Sequence, residues 1–267
     1  MRRSRLAGLV APLLLALGLG LTQAASAQAA SNSGGYVALG DSYASGVGAG
    51  SYISSSGDCD RSTNAAAYLW NTAHKPASFA FNACSGATTD DVMANQLGSL
   101  NSSTSLVSIS IGGNDAGFAD VMQTCVLSSD STCLSRLATA TSYITNTLPG
   151  KLDTVYNAIH SKAPNARVVV IGYPRFYLLG QVCLGLSDTK RSAINNAADT
   201  LDSTIQSRVQ AHGFVFGDVR SAFASHEICS GDSWLHSLNV LDVTESYHPT
   251  AAGQSGGYLP ALTNAAG

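Results

Sequence analysis

Charge is scarce in this sequence. Only 12% of its 267 residues are Asp, Glu, Lys or Arg, and the formal net charge is -3. So mild a balance offers neither the basic surface that nucleic acid needs nor a polybasic face for a membrane surface. Aromatic residues are few, at 7%, which leaves little for stacking on sugar rings. Beyond the first residues no apolar run approaches the roughly 20 that a spanning helix needs. The six cysteines contain no C-x-x-C pair, which disfavours a structural metal site. Gly46-Val47-Gly48-Ala49-Gly50 superficially suggests a phosphate loop. It lacks the G-K-[ST] ending, and Ser51 stands where G-x-G-x-x-G needs its last glycine. There is no internal repeat and no linker that would split the chain.

What is present begins with a leader. Arg2, Arg3 and Arg5 precede an uncharged, mostly apolar run from Leu6 to Leu21. Ala25-Ser26-Ala27 then fits the small-residue pattern before a cleavage point, and Gln28-Ala29-Ala30 offers a second. These are the three parts of a secretory signal peptide. A membrane anchor is the competing reading, but the run is short and ends in small residues. The expectation is a signal peptide over 1–30, one domain over 31–267, and a secreted, extracellular protein that works as a monomer with no stable membrane insertion. At 45% hydrophobic residues, that domain has material for a substantial core. In an exported chain an even set of cysteines reads as a disulfide framework. Six cysteines allow fifteen connectivities. Neighbour pairing, Cys59–Cys84, Cys125–Cys133 and Cys183–Cys229, is the simplest because each bridge closes a local loop.

Strand and helix patterns alternate along the chain. Tyr36 to Leu39 reads as a buried strand running into Gly40-Asp41-Ser42 and a glycine-rich loop. The spacing predicts a helix over 65–73 capped by Asn64, a strand over 78–83, and a short helix capped by Thr88 or Thr89. Leu106 to Ile111 is the third strand and ends at Gly112-Gly113-Asn114-Asp115. Residues 124–133 read as a disulfide-bounded loop. A helical region follows over 134–160, broken or kinked at Pro149. Arg167 to Ile171 is a β-branched run suited to a strand buried on both faces. Asp188 to His212 is the clearest helix, with Ile194, Ala198, Leu201, Ile205 and Val209 on one stripe. Phe214 to Phe216 is a fifth strand. Such alternation argues for an α/β fold with a parallel sheet covered on both faces, whose ligands gather at the carboxyl ends of the strands.

Those strand ends carry Ser42, Gly86 and Asn114. A Gly-Asp-Ser turn alone is more often only a turn. A serine hydroxyl is a weak nucleophile that needs a base within reach. Of six histidines, His160 and His212 lie near helix ends, His74 sits in a polar turn, and His226 and His236 lie in a long loop. His248 stands before Pro249, which at a helix's first position would hold the histidine at a defined edge. Asn114 and the glycine backbone at 86 have N–H groups suited to a developing oxyanion.

These residues carry a resemblance. GDSY at 40–43, Gly86, GGND at 112–115 and ESYHPTAAG at 245–253 resemble the blocks of the SGNH hydrolases, the GDSL-type esterases and lipases. All four stand in the family order and span almost all of the chain after the leader. The cysteine layout and leader look closest to the secreted actinobacterial lipases and phospholipases. The resemblance implies a three-layer α/β/α domain with a five-stranded parallel sheet, flavodoxin-like in order, and no cofactor or metal. It implies Ser42 as nucleophile, His248 as base and then acid, and an oxyanion hole of the Ser42 and Gly86 N–H groups with the Asn114 side chain. It also implies a serine ester hydrolase acting on lipid esters, with phospholipase A1 included; a carbohydrate acetyl esterase is the alternative. Two departures stand out. Tyr43 replaces the family's Leu, at a position expected to matter little. Glu245 stands where the family usually has Asp, and its extra methylene puts its reach to the imidazole in doubt. The main-chain carbonyl of Ser246 is the favoured substitute.

Overall fold

The runs of buried β-branched and aliphatic residues become the strands of one sheet. A computed structural model describes residues 34–239 and 242–267; the expected signal peptide over 1–30 lies outside them. In chain order the elements are β1 (Gly35–Gly40), α1 (Ser42–Ser45), α2 (Ala66–His74), β2 (Ser78–Phe81), α3 (Thr89–Asp91), β3 (Thr104–Ser110), α4 (Phe118–Leu127), α5 (Asp130–Asn146), α6 (Leu148–Lys162), β4 (Arg167–Ile171), α7 (Asp188–Ala211), β5 (Val215–Gly217), α8 (Arg220–Phe223), α9 (Ala251–Gly253) and α10 (Leu259–Ala266). The five strands are parallel and ordered β2-β1-β3-β4-β5. This is the flavodoxin-like order, with its switch point between β1 and β3.

Parallel crossovers are right-handed, so the direction of each step along the sheet fixes the face its helix covers. The step from β1 to β2 runs one way and carries α2. The steps from β2 through β5 run the other way and carry α4 to α7 on the opposite face. After β5 the chain returns and α10 packs beside α2. Three layers result. All six residues of β1 are buried, as a central strand between two helical layers requires.

Several local expectations change in the structure. Asn64 does not cap α2; Ala65 occupies that position, and the Asn64 amide donates to the Ala49 carbonyl at 2.8 Å instead. The segment 124–133 is not a loop. It holds the end of α4 and the start of α5, and the Cys125–Cys133 bridge ties the two helices across their junction. The apolar residues Val121, Met122 and Cys125 give 118–127 the buried face of a helix. The helical region does break at Pro149, which sits in the first turn of α6. Pro249 does not open a helix; Thr250 caps α9 by accepting from the Gly253 N–H. The other bridges join Cys59 to Cys84 and Cys183 to Cys229. No helix among the described residues is long and apolar enough to cross a membrane.

Candidate active site

Ser42 owes its position to the abrupt end of β1. Gly40 adopts φ +122°, and a Cβ there would sit 2.3 Å from the Ser110 carbonyl oxygen, so only glycine lets β1 lie this close to β3 at its end. The Gln96 side chain clamps the same residue, accepting from its N–H at 2.7 Å and donating to its carbonyl at 2.9 Å. Asp41 then caps α1 by accepting from the Tyr43 N–H at 3.0 Å. Ser42 is the first residue of that short helix, where backbone N–H groups lack intrahelical partners.

The Ser42 hydroxyl lies 2.7 Å from His248 Nε2. His248 Nδ1 lies 3.1 Å from the Ser246 carbonyl oxygen. A carbonyl only accepts, so Nδ1 carries the proton and Nε2 presents its lone pair to the serine hydroxyl. Burial pushes the His248 pKa down to about 4, against which the Ser246 carbonyl works. The imidazole is therefore neutral at ordinary pH, as a proton acceptor must be. Glu245 does not reach it. Its carboxylate instead accepts from the Tyr52 hydroxyl at 2.6 Å, and that hydroxyl accepts from the Gly48 N–H at 2.9 Å.

Gly86 and Asn114 come to the same edge. The turn carrying Gly86 is held on one side by the Cys84 N–H, which donates to the Gly40 carbonyl at 3.0 Å. On its other side the Asn114 amide donates to the Ala87 carbonyl at 3.0 Å. This fixes the amide plane and leaves its second N–H for another acceptor. Gly86 has φ +75° and open space where a side chain would stand. Among the described residues, neither the Ser42 nor the Gly86 N–H has a hydrogen-bond acceptor. The turns of Gly86 and Asn114 thus stand at the edge that carries a hydroxyl–imidazole pair, a pair able to carry an acyl group.

The chain belongs to the GDSL-like lipase/acylhydrolase family. Its family model matches residues 38–255, which contain every group of the site. Lipase 1 of Streptomyces coelicolor is 67% identical over the full length of both chains. The crystal structure of phospholipase A1 from Streptomyces albidoflavus superposes with a TM-score of 0.86 at 61% identity, over 87% of this chain and 99% of that one. That of an extracellular lipase from Streptomyces rimosus gives 0.85 at 59% identity, over 87% and 100%.

Some groups around the family's blocks escaped sequence reasoning. Tyr43 does more than its place in the motif suggests: its hydroxyl donates to the Tyr247 carbonyl at 2.6 Å, and its ring lies 5.1 Å from the His248 ring. Tyr247 itself holds left-handed backbone at φ +67°, a strained conformation for a bulky residue that the surroundings must enforce. Gly48 closes against Pro249, His236 and His248, so the glycine-rich loop is packed on the histidine segment. Tyr173 follows β4, and its hydroxyl donates to the buried Asp41 carboxylate at 2.5 Å. The same hydroxyl accepts from the Gly113 N–H at 3.3 Å. It thereby joins the turn of Ser42 to the turn of Asn114. Only contacts across strand ends reveal this, and no local pattern signals it.

Behind Ser42 the surface opens into a pocket between the sheet edge and α4, α5 and α7, enclosing about 640 Å³ with its open mouth. Its lining joins the polar Ser42 and Asn114 to apolar walls that include Val121, Met122, Leu137, Ile144, Phe176 and Leu201.

Proposed function

We propose that this protein is a secreted serine esterase that cleaves lipid esters by way of an acyl-enzyme. One observation carries the lipid assignment: Ser42 lines a pocket whose other walls are mostly apolar side chains, aliphatic with the rings of Phe118 and Phe176 among them. Such walls suit an acyl chain through apolar burial. They give a small acetyl group little to bind, so the carbohydrate acetyl esterase reading is not favoured. The names of the relatives, lipase and phospholipase A1, agree with a lipid ester, and the extracellular lipase among them agrees with export.

In this reading His248 Nε2 takes the Ser42 proton as the oxygen attacks the ester carbonyl. The oxyanion rests against the Ser42 and Gly86 N–H groups and the Asn114 amide. The imidazolium formed is held by the Ser246 carbonyl through Nδ1–H, and it returns its proton to the departing alcohol. Water, activated by the same imidazole, then releases the acyl group. The test is a hydrolysis profile of purified protein and its Ser42→Ala variant across p-nitrophenyl esters of rising chain length, triacylglycerol and phosphatidylcholine. The expected result is turnover favouring long acyl chains and lost in Ser42→Ala with an unchanged melting temperature. Retained turnover in the variant, or a strong preference for acetyl, overturns the proposal.

A further inference from the structure

Apart from Val243, the most exposed aliphatic side chains among the described residues lie at one corner of the molecule. Val182 is 97% and Leu184 96% exposed, Leu127 75% and Leu179 44%. Three belong to the loop between β4 and α7, and residues 176–187 of that loop contain no charged residue. Burying such side chains is ordinarily favourable, so a fold that holds them in water needs a reason.

The loop is held out by bonds. Gly180 and Gly185 take positive φ on either side of the tip. The Cys183–Cys229 bridge pins the tip between its two apolar residues. The Arg191 guanidinium donates to the Gln181 carbonyl at 3.3 Å, and Leu186 is buried at the loop's foot. The loop also shares the edge of the catalytic groups. Loops that follow the strands of a parallel sheet lie at its carboxyl edge, where Ser42 and Asn114 stand. Its two ends are pocket walls: Phe176 precedes it, and α7, with Ile194, follows. Leu127 reaches the same corner on α4, because Lys190 near the start of α7 donates to the Cys125 and Ser128 carbonyls at 2.8 and 2.6 Å.

We propose that Leu127, Leu179, Val182 and Leu184 form a docking surface that inserts into the surface of aggregated lipid and so sets the pocket mouth against its substrate. This rests on the lipid-ester reading. Continuity with the acyl pocket selects a lipid surface over a protein partner, since an acyl chain leaving a bilayer would pass from one apolar environment directly into another. The patch is small, and exposed Asp130 and Asp188 flank its uncharged loop, so it gives reversible adsorption rather than anchoring.

The test uses Val182→Ser/Leu184→Ser, made both in the active chain and in Ser42→Ala. Flotation with phosphatidylcholine vesicles measures binding of the Ser42→Ala pair without hydrolysis. The active pair is assayed on dissolved p-nitrophenyl butyrate and on the same vesicles. The expected result is vesicle binding weakened on the order of tenfold or more, vesicle hydrolysis reduced in parallel, and kcat/KM on the dissolved ester unchanged. Unchanged vesicle binding overturns the proposal, as does a parent protein that does not bind vesicles. A concentration-dependent dimer that the double variant loses, with vesicle binding intact, overturns it in favour of self-association. Failure of the underlying reading looks different: dissolved esters would then not be hydrolysed, or would still be hydrolysed after Ser42→Ala.

Discussion

Glu245 and Ser246 are adjacent, and it is the Ser246 carbonyl, not the Glu245 carboxylate, that meets the imidazole N–H. The Ser246 carbonyl lies 3.1 Å from His248 Nδ1, whereas the Glu245 carboxylate accepts from Tyr52. A backbone dipole can fix the tautomer as a carboxylate does, with less charge to stabilise the imidazolium. Glu245→Gln is therefore expected to change kcat on a dissolved ester by less than about tenfold, against about 10⁴ for neutralising a true third member. A drop of several orders of magnitude with an intact fold would restore Glu245 to the proposed mechanism. Asp41 provides a second expectation at this scale. Burial raises its pKa to about 7, and the Tyr173 hydroxyl works against that rise. The groups facing it are Tyr173, Tyr43, Tyr258 and Asp115. An ionised Asp41 caps α1, so protonation as pH falls through about 7 loosens the helix that presents Ser42. Activity should fall there, well above the His248 value of about 4. Tyr173→Phe removes an opposing hydrogen bond, so the acid limb of its kcat–pH profile should move to higher pH. A limb that stays in place would leave Tyr173 with packing alone.

Among the elements, legibility followed the range of the interaction. Arg167–Ile171 could be read residue for residue because a buried parallel strand is a continuous β-branched run. The helix α7 was legible through its apolar stripe, of which Ile194, Ala198, Leu201, Ile205 and Val209 are buried. Thr88 caps α3, in a reciprocal pair with Asp91. Asn64 misled because an asparagine before an apolar run fits a cap, and a partner fifteen residues back won its amide. Pro249 misled because it fits a helix start, yet its neighbour Leu235 pairs with it as an isolated bridge and Thr250 takes over the cap. The site divides in the same way. The candidate groups Ser42, Gly86, Asn114 and His248 each stand in a short motif that a local window contains. Gln96, Tyr173 and the Tyr43 hydroxyl act across distant turns, and no window of sequence contains both partners.

At the scale of the whole molecule, few charges and much apolar surface leave the loops of the carboxyl edge with little to hold them. Among the described residues several ion pairs keep at least one partner well exposed to solvent, and such pairs contribute little. The three bridges take that place, each at a functional loop: Cys59–Cys84 beside the turn of Gly86, Cys125–Cys133 at the α4–α5 junction, and Cys183–Cys229 under the exposed aliphatic tip. The segments they close differ in length, with sequence separations of 25, 8 and 46. The entropy removed from the unfolded chain grows with the logarithm of that length. Losing a bridge should therefore cost roughly 3.5, 2.5 and 4 kcal/mol in that order. Paired Cys→Ala variants, unfolded in urea under oxidising conditions, should rank in stability by loop length. Their activities should not follow the same order. Cys84 is two residues from Gly86 and is bonded through its N–H to Gly40, so the Cys59→Ala/Cys84→Ala pair should lose most in kcat although another pair loses more stability. A ranking of kcat that simply tracks stability would mean that the bridges hold the fold as a whole and do not separately position the turns of the site.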